Sequence, residues 1–282
     1  MNLSDMPSIA LWQHGAALAL VATDIVARAG RSAVLLPVGL TRAMIVNCCG
    51  DALAAVTPAR LGGDPIRFVW FTRTGTPGPA VVASFATETV VNGIVLGAGA
   101  LLLLVFFANG VWPLTEHLLE RASTGSHLVI AFGAFALCAL ILVALVRRFP
   151  GLPGLLAIFL RDSWRTFRTQ SRRAVAWASA YTVVSMLARM AILPVLLAHI
   201  PGIGTGPLIV GSVTALYALL LAPTPGGVGP IEVGFVAGFG EAMNVREIAA
   251  LLVTWRAYAW VCSAAVGALL LLRERWIRRK LL

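Results

Sequence analysis

Long apolar runs separated by short groups of arginine make up most of this chain. The first run extends from Ile9 to Val26 and is followed by Arg28 and Arg31. Because basic residues mark cytoplasmic flanks, the pattern predicts a membrane helix whose second end faces the cytoplasm. Residues 33–59 are apolar but interrupted, and basic residues lie near both ends. This pattern favours a hairpin or re-entrant pair over a single crossing.

The later apolar segments alternate in direction when basic residues are placed inside the cell. A loop containing Glu116 and Glu120 is expected after the second long helix, and the carboxyl-terminal RERWIRRK predicts a cytoplasmic end. The segment at 231–243 is too short to cross a bilayer alone, since a crossing needs about 20 residues. The expected segments are 80–107, 127–146, 174–197, 207–222, the short helix 231–243 and 248–272.

One segment, at about 153–173, has the pattern of a helix lying along the membrane surface. Arginines recur there at helical spacing beside an apolar arc. Two interpretations stay open: a connector anchored by lipid headgroups, or a surface that gathers anionic lipid. The arginines are Arg161, Arg165, Arg168 and Arg172, and the apolar residues are Leu156, Leu160, Trp164 and Phe167.

Composition sets the fold class. Hydrophobic residues make up 59% of the 282 residues and charged residues 12%, with a mean hydropathy of +0.88. Soluble domains carry roughly 25% charged residues. We therefore predict an all-α, polytopic membrane protein in which residues 1–282 form a single domain with about six to eight membrane segments, some of them broken or re-entrant.

The net charge of +10 does not indicate nucleic-acid binding, because the basic residues stand at membrane flanks. They predict topology and contact with anionic lipid instead. The expected location is the inner (plasma) membrane of the cell. Neither the four cysteines nor the four histidines have ligand spacing, so no metal site and no cofactor are expected.

Two Pro- and Gly-rich interruptions carry the candidate chemistry. LAPTPGGVGPIEVGF at 221–235 breaks an apolar region, and TPARLGGDPIRFVWFTRTG at 57–75 does the same earlier. A helix break leaves peptide groups without their hydrogen bonds, and lipid tolerates such groups only where they contact protein or a water-filled cavity. Both regions should therefore line the interior of the protein. Pro230 suits the first turn of a helix whose amides would attract an anion. Broken helices recur at transport sites, which here are predicted at 57–67 and 223–232.

Ionisable residues inside apolar segments are costly and demand a partner. The candidates are Asp24, Asp51, Glu88, Arg189, Glu232 and Arg256. One hypothesis pairs Arg256 with Glu232 or Glu88 and leaves Arg60 and Arg67 to bind a lipid phosphate. The alternative is a set of static ion pairs that fixes helix packing. The sequence names no partner for Arg189.

Two functional alternatives stay open on the residues alone. Asp64 with Glu88 would suit an acid/base pair in an enzyme. No nucleotide-binding motif is visible in the sequence, so lipid movement would be passive or driven by a gradient, with Glu88 or Glu232 as a hypothetical proton carrier.

Several motifs resemble the membrane domain shared by lysylphosphatidylglycerol synthases and flippase-like proteins. They are PTPGGVGPIEVGF, TPARLGGDPIRFVWFTRTG followed by ATETVVNGI, and LVTWRAYAW, in family order over 57–260. Asp64 stands at the family's usual glutamate, Glu88 matches the family's glutamate in the third span, and Arg256 matches its arginine in the last span. Asn92 stands where the family often has a second acidic residue.

The resemblance implies lipid movement between leaflets, or a membrane unit that supports a glycosyl- or lipid-modifying enzyme. Lysyl transfer is not expected, because the family's synthases carry that activity in a separate soluble domain. The implied ligand is an anionic phospholipid or a lipid-linked substrate, and a membrane enzyme partner or a homo-oligomer is left open. The predicted site comprises Arg60, Asp64, Arg67, Glu88, Pro225, Gly226, Gly227, Gly229, Glu232 and Arg256.

Overall fold

The computed structural model describes residues 9–57, 61–122, 152–198, 208, 211–213, 215, 230–239 and 243–281. All regular structure in these residues is helical, which confirms the predicted all-α class. The elements are α1 (Leu11–Leu35), α2 (Leu40–Val56), α3 (Gly63–Arg73), α4 (Gly78–Ala122), α5 (Leu152–Thr169), α6 (Arg172–Leu197), α7 (Pro230–Phe239), α8 (Val245–Arg256), a π-helical segment (Ala257–Val261) and α9 (Cys262–Leu281).

Three stretches of the described chain are long and apolar enough to cross a membrane: Gly78–Gly99, Arg172–Leu197 and Val245–Leu272. Helices α1 and α2 pass the same test as a pair bent by 116°. The protein is therefore a multi-pass helical membrane protein. The total of about six to eight segments stays a prediction, because the expected crossing at 127–146 and most of 207–222 lie outside the described residues.

Helix α1 corrects the expected first boundary. It continues past Val26 to Leu35, and Arg28 and Arg31 are 9% and 8% exposed instead of flanking the membrane. Buried carboxylates pair with both arginines, so the helix keeps them inside the protein. The expected hairpin within 33–59 is also wrong in position: the chain bends at 36–39, and residues 40–56 form one helix.

Helix α4 is longer than predicted. It runs without a break from Gly78 to Ala122, so the expected loop around Glu116 and Glu120 is helical. Its 45 residues span about 68 Å, more than twice the hydrocarbon thickness of a bilayer. Helix α5 lies where the amphipathic helix was expected and ends at Thr169.

Helices α1 and α6 pack antiparallel and meet α7 and α8 in an apolar core. Gln13 near the start of α1 donates to the carbonyl oxygens of Val195 (2.8 Å) and Leu196 (3.2 Å) at the end of α6. This satisfies carbonyls that a helix end leaves free. The core residues beside this contact include Ala17, Val21, Ile192, Leu193, Ile231, Phe235, Leu251 and Trp255.

The short helix and the last span begin with clear local signals. Helix α7 covers Pro230–Phe239, with Pro230 in its first turn as expected, and residues 240–242 before the predicted end at Met243 lie outside the described residues. Helix α8 starts after Asn244, whose side chain accepts from the amides of Arg246 and Glu247 at 3.0 Å each, while Glu247 accepts from the amide of Asn244. This reciprocal arrangement is a capping box.

Candidate functional site

Glu88 on α4 is the point where donors from two other helices converge. Arg67 on α3 approaches both carboxylate oxygens, at 2.8 and 3.1 Å. From α1, Arg31 donates to one oxygen at 3.1 Å and the hydroxyl of Ser32 to the other at 3.2 Å. The Glu88 side chain is only 5% exposed. A carboxylate buried to this degree needs such charged and hydrogen-bonding partners.

Glycines bring Arg67 within reach of Glu88. A Cβ on Gly50 of α2 would lie 2.7 Å from Cγ of Arg67, and one on Gly63 would lie 3.2 Å from the Cβ of Ala54. Helix α3 therefore packs against α2 almost backbone to backbone. The Arg67 guanidinium also lies 4.7 Å from the centre of the Phe85 ring, a cation–π contact.

Arg67 also binds Asp64, at 2.9 Å, so it connects the two carboxylates of the predicted enzyme pair. Burial alone would lower the pKa of Arg67, but the charges of Glu88 and Asp64 outweigh burial and raise it above its usual value. Arg67 is therefore a permanent cation. Asp64 differs from Glu88 in exposure, since its side chain is 69% exposed.

Arg31 is held by neutral acceptors as well as by Glu88. It donates to the amide oxygen of Asn92 at 2.8 Å and to the hydroxyl of Thr182 at 3.3 Å. Asn92 therefore supplies an acceptor without a second negative charge at the position where the family often has an acidic residue. On α2, the side-chain amide of Asn47 donates to the hydroxyl of Ser32 at 3.2 Å.

A second group of charges lies further along α1. Asp24 accepts from Arg189 of α6 at 2.9 and 3.1 Å and from Arg28 at 3.1 Å. Arg28 also donates to Asp51 of α2 at 2.7 Å. The structure thus supplies the partner of Arg189 that the sequence did not name. The hydroxyl of Ser185 donates to Asp24 as well, at 2.5 Å.

We call these seven residues, whose side chains are at most 13% exposed, the ionic cluster: Asp24, Arg28, Arg31, Asp51, Arg67, Glu88 and Arg189. Their four guanidinium groups share three carboxylates, and Arg67 also pairs with the exposed carboxylate of Asp64. Within the described part of the chain, three nitrogens of the cluster have no hydrogen-bond partner: Nη2 of Arg28, Nε of Arg31 and Nε of Arg67. Unsatisfied buried donors are costly, so the cluster suits an additional anion with several acceptor oxygens.

The cluster extends along the axis of α1. Asp24 and Arg31 are seven residues apart on one helix, which separates them by about 10 Å along its axis. Arg67 contacts the same carboxylate as Arg31, and α6 runs antiparallel to α1 with Arg172 and Arg173 at its start. The positive-inside rule predicts that the Arg172 end faces the cytoplasm. The cationic groups therefore form a series along the axis of α1.

A separate ion pair joins α7 to α8. Nη2 of Arg256 lies 2.7 Å from Oε1 of Glu232. Arg256 thus pairs with Glu232 and not with Glu88, which resolves the two predicted alternatives. The π-helical segment starts at the next residue, and its Tyr258 contacts Nδ1 of His14 at 2.5 Å. Such π segments occur frequently at functional sites.

The structure brings three predicted site residues, Asp64, Arg67 and Glu88, into one network and places Glu232 with Arg256 in another. The rest lie outside the described residues: Arg60, Pro225, Gly226, Gly227 and Gly229. Sequence reasoning missed Arg28 and Arg31, which it assigned to a membrane flank. The signal was available, because Asp24, Arg28 and Arg31 fall on one helix face at spacings of four and three residues.

An apolar groove of about 260 Å³ lies between α1, α2 and α9. It is lined by side chains such as Ile25, Met44, Cys48 and Val266, and Cys48 lies one turn of α2 before Asp51 of the ionic cluster. The groove therefore places an apolar surface beside the charged one. Among the described residues, no group of three His, Cys, Asp or Glu side chains is arranged to hold a metal ion.

Comparison with known proteins gives one match. Residues 3–267 match the family model described as lysylphosphatidylglycerol synthase TM region. No curated protein matches the chain, and neither does any solved structure. The match covers nearly the whole chain and confirms the resemblance seen in its motifs. The chain belongs to the lysylphosphatidylglycerol synthase transmembrane region family, and so forms the membrane domain of a lipid-related protein.

Proposed function

We propose that this protein moves phospholipid or a lipid-linked phosphate compound between the two leaflets of its membrane, with the ionic cluster as the headgroup site. One observation carries the proposal: four arginines whose side chains are at most 13% exposed lie together, and three of them keep a nitrogen without a hydrogen-bond partner among the described residues. A phosphate group supplies several acceptor oxygens for these nitrogens.

Binding adds an anion to the cluster. A headgroup phosphate accepts hydrogen bonds from the unpartnered nitrogens of Arg31 and Arg67, while Glu88 keeps its own contacts. Since a charge moved alone into a low-dielectric interior costs several kcal/mol, the waiting guanidinium groups lower the largest barrier to entry. Arg28 of α1 and Arg189 of α6 are the next cationic groups along the axis of α1, on the side of Arg31 that leads to Asp24.

The apolar groove supports the same proposal for the rest of the molecule. Its lining is apolar, and it adjoins the cluster on α2, where Cys48 of the lining lies one turn from Asp51. An acyl chain fits this environment, while a free polar solute gains nothing from it. The substrate class that matches both surfaces is an amphiphile with a phosphate head.

The test is reconstitution into liposomes with acyl-chain-labelled fluorescent phosphatidylglycerol or phosphatidylcholine in both leaflets. A membrane-impermeant quencher reports how fast inner-leaflet lipid becomes accessible. The wild type should accelerate exchange, and Arg67→Gln should reduce it to near the protein-free rate. Arg67→Lys keeps the positive charge but loses the bidentate contact of the guanidinium group, so it should give an intermediate exchange rate.

The matched control is Arg42→Gln, because Arg42 is an exposed arginine on α2 outside the cluster. It should exchange lipid like the wild type. Each variant is first checked for the wild-type elution volume and unfolding midpoint, so that a loss of exchange is separated from misfolding. Wild-type exchange by a folded Arg67→Gln protein would overturn the assignment of the cluster.

The same assay addresses the energy source and the alternatives. Unchanged exchange by Glu88→Gln and Glu232→Gln across a pH series rules out the proton-carrier role. No exchange of any lipid by the wild type would favour the role of a partner for a glycosyl- or lipid-modifying enzyme, which co-purification then tests. Turnover of a lipid detected by mass spectrometry would favour an enzyme using Asp64 and Glu88.

A further inference from the structure

Helix α5 carries three parallel stripes of side chains with different surroundings. One stripe, Phe159, Ser163 and Phe167, follows the four-residue spacing of a helix face. Ser163 is 5% exposed, and a Cβ on Gly78 at the start of α4 would lie 3.1 Å from the Phe159 ring. This stripe packs against α4, so it fixes which surfaces of α5 stay uncovered.

The second stripe is apolar and exposed. Leu160 and Trp164 are 60% and 59% exposed, one helical turn apart. Trp164 stacks on Phe167 at a ring distance of 5.6 Å. Tryptophan is enriched where a protein surface meets lipid headgroups, because its ring is apolar and its N–H is polar.

The third stripe is cationic. Arg161, Arg165 and Arg168 are exposed at spacings of four and three residues, adjacent to the apolar stripe. The Arg168 guanidinium lies 5.8 Å from the centre of the Trp164 ring. In the described part of the chain, none of the three is paired with a carboxylate, and Asp162 is the sole acidic residue of α5. Their charge is therefore available to a partner.

The end of α5 is attached to the helices that hold the ionic cluster. Thr87, next to Glu88 on α4, donates to the side-chain oxygen of Gln170 at 2.5 Å. Ser171 then caps α6 by accepting from the amide of Ala174 at 3.1 Å. The exposed stripes are thus held at a fixed place beside the cytoplasmic end of the cluster.

We propose that the exposed face of α5 is a binding surface for the headgroups of anionic phospholipids, which it selects over zwitterionic ones. The arginine stripe contacts the phosphate and the negatively charged headgroup, while Leu160 and Trp164 enter the upper acyl region. This binding does not require transport, so it holds or fails independently of the proposed function.

The test is the association of spin-labelled phosphatidylglycerol and phosphatidylcholine with the full-length protein in phosphatidylcholine vesicles. The immobilised fraction of each label gives a relative association constant. For the wild type we expect a preference for phosphatidylglycerol that weakens in high salt. For Arg161→Gln/Arg165→Gln the preference should fall by about twofold or more, and Arg161→Lys/Arg165→Lys should retain it.

The control with the same change in net charge is Arg42→Gln/Arg73→Gln, because both arginines are exposed but lie outside α5. It should keep most of the preference. An unchanged preference in Arg161→Gln/Arg165→Gln would overturn the proposal, as would an equal loss in the control. If the preference depends on α5 while no lipid exchange is seen, the binding surface stands and the transport proposal fails.

Discussion

At Glu88 a single carboxylate serves two guanidinium groups and one hydroxyl from two other helices. The side chain is a structural requirement, because it holds both guanidinium groups at the proposed phosphate site. Removing its charge leaves Arg31 and Arg67 buried without their main counter-ion. The cost of an uncompensated buried charge exceeds the value of most single contacts.

We therefore expect Glu88→Gln to destabilise the protein by about 3 to 5 kcal/mol, the usual range for breaking a buried ion pair. The intrinsic tryptophan fluorescence of the detergent-solubilised protein during heating reports the unfolding midpoint. Asp162→Asn is the control, because Asp162 is exposed on α5 and has no described ion pair.

Adding Arg67→Gln to Glu88→Gln should recover part of the lost stability, since it removes one of the two cations that lost the Glu88 carboxylate. This rescue separates an electrostatic effect from a packing effect. If Glu88→Gln unfolds at the wild-type midpoint, the carboxylate does not neutralise the buried arginines and the ionic cluster is assigned wrongly.

At the scale of elements, close backbone packing of α9 on α2 positions the α2 side chains that contact the ionic cluster. A Cβ on Gly267 would overlap the backbone carbonyl of Cys48, and the thiol of Cys49 donates to the carbonyl oxygen of Gly267 at 3.7 Å. Asn47 and Asp51 lie on the same helix within one turn of this contact. Small residues permit such contacts between membrane helices.

Gly267→Ala should therefore force α9 away from α2 and lower the free energy of unfolding by about 1 to 3 kcal/mol. Gly97→Ala is the matched control, because a Cβ at Gly97 in α4 meets nothing within 4 Å. There the substitution should leave stability unchanged or raise it by up to about 1 kcal/mol. Equal midpoints for the two variants in the same thermal assay would contradict the close packing.

For the whole molecule, helix directions and arginine positions together predict the orientation. The antiparallel packing of α1 and α6 puts Leu11 and Leu197 at one end and Arg172 at the other. Val245 starts α8 near the Leu197 end, since Ile248 packs in the same core as Leu196 and Leu197. The positive-inside rule assigns the Arg172 end to the cytoplasm.

In a cysteine-free background, Val245→Cys should react with a membrane-impermeant maleimide added to spheroplasts. Thr169→Cys should react only after permeabilisation. Both positions are exposed in the structure. Reversed labelling would contradict the inward orientation of the arginines, and labelling of both positions from one side would contradict the arrangement of the helices.

The sequence by itself determined the membrane class, the helical fold and the family. These follow from hydropathy and from motifs, which are local properties of the chain. It also marked Glu88, Glu232 and Arg256 as costly charges, because an ionisable residue in an apolar segment is conspicuous without any knowledge of its neighbours.

Only the tertiary structure decided which charges meet. Arg28 and Arg31 follow the first apolar run and match a membrane flank, but carboxylates from α1 itself, α2 and α4 pair with them, so they are buried inside the protein. Asp24 and Arg189 are 165 residues apart in sequence and share two hydrogen bonds. Pairing at such separations depends on how helices pack, and the hydropathy of a segment does not encode its partner.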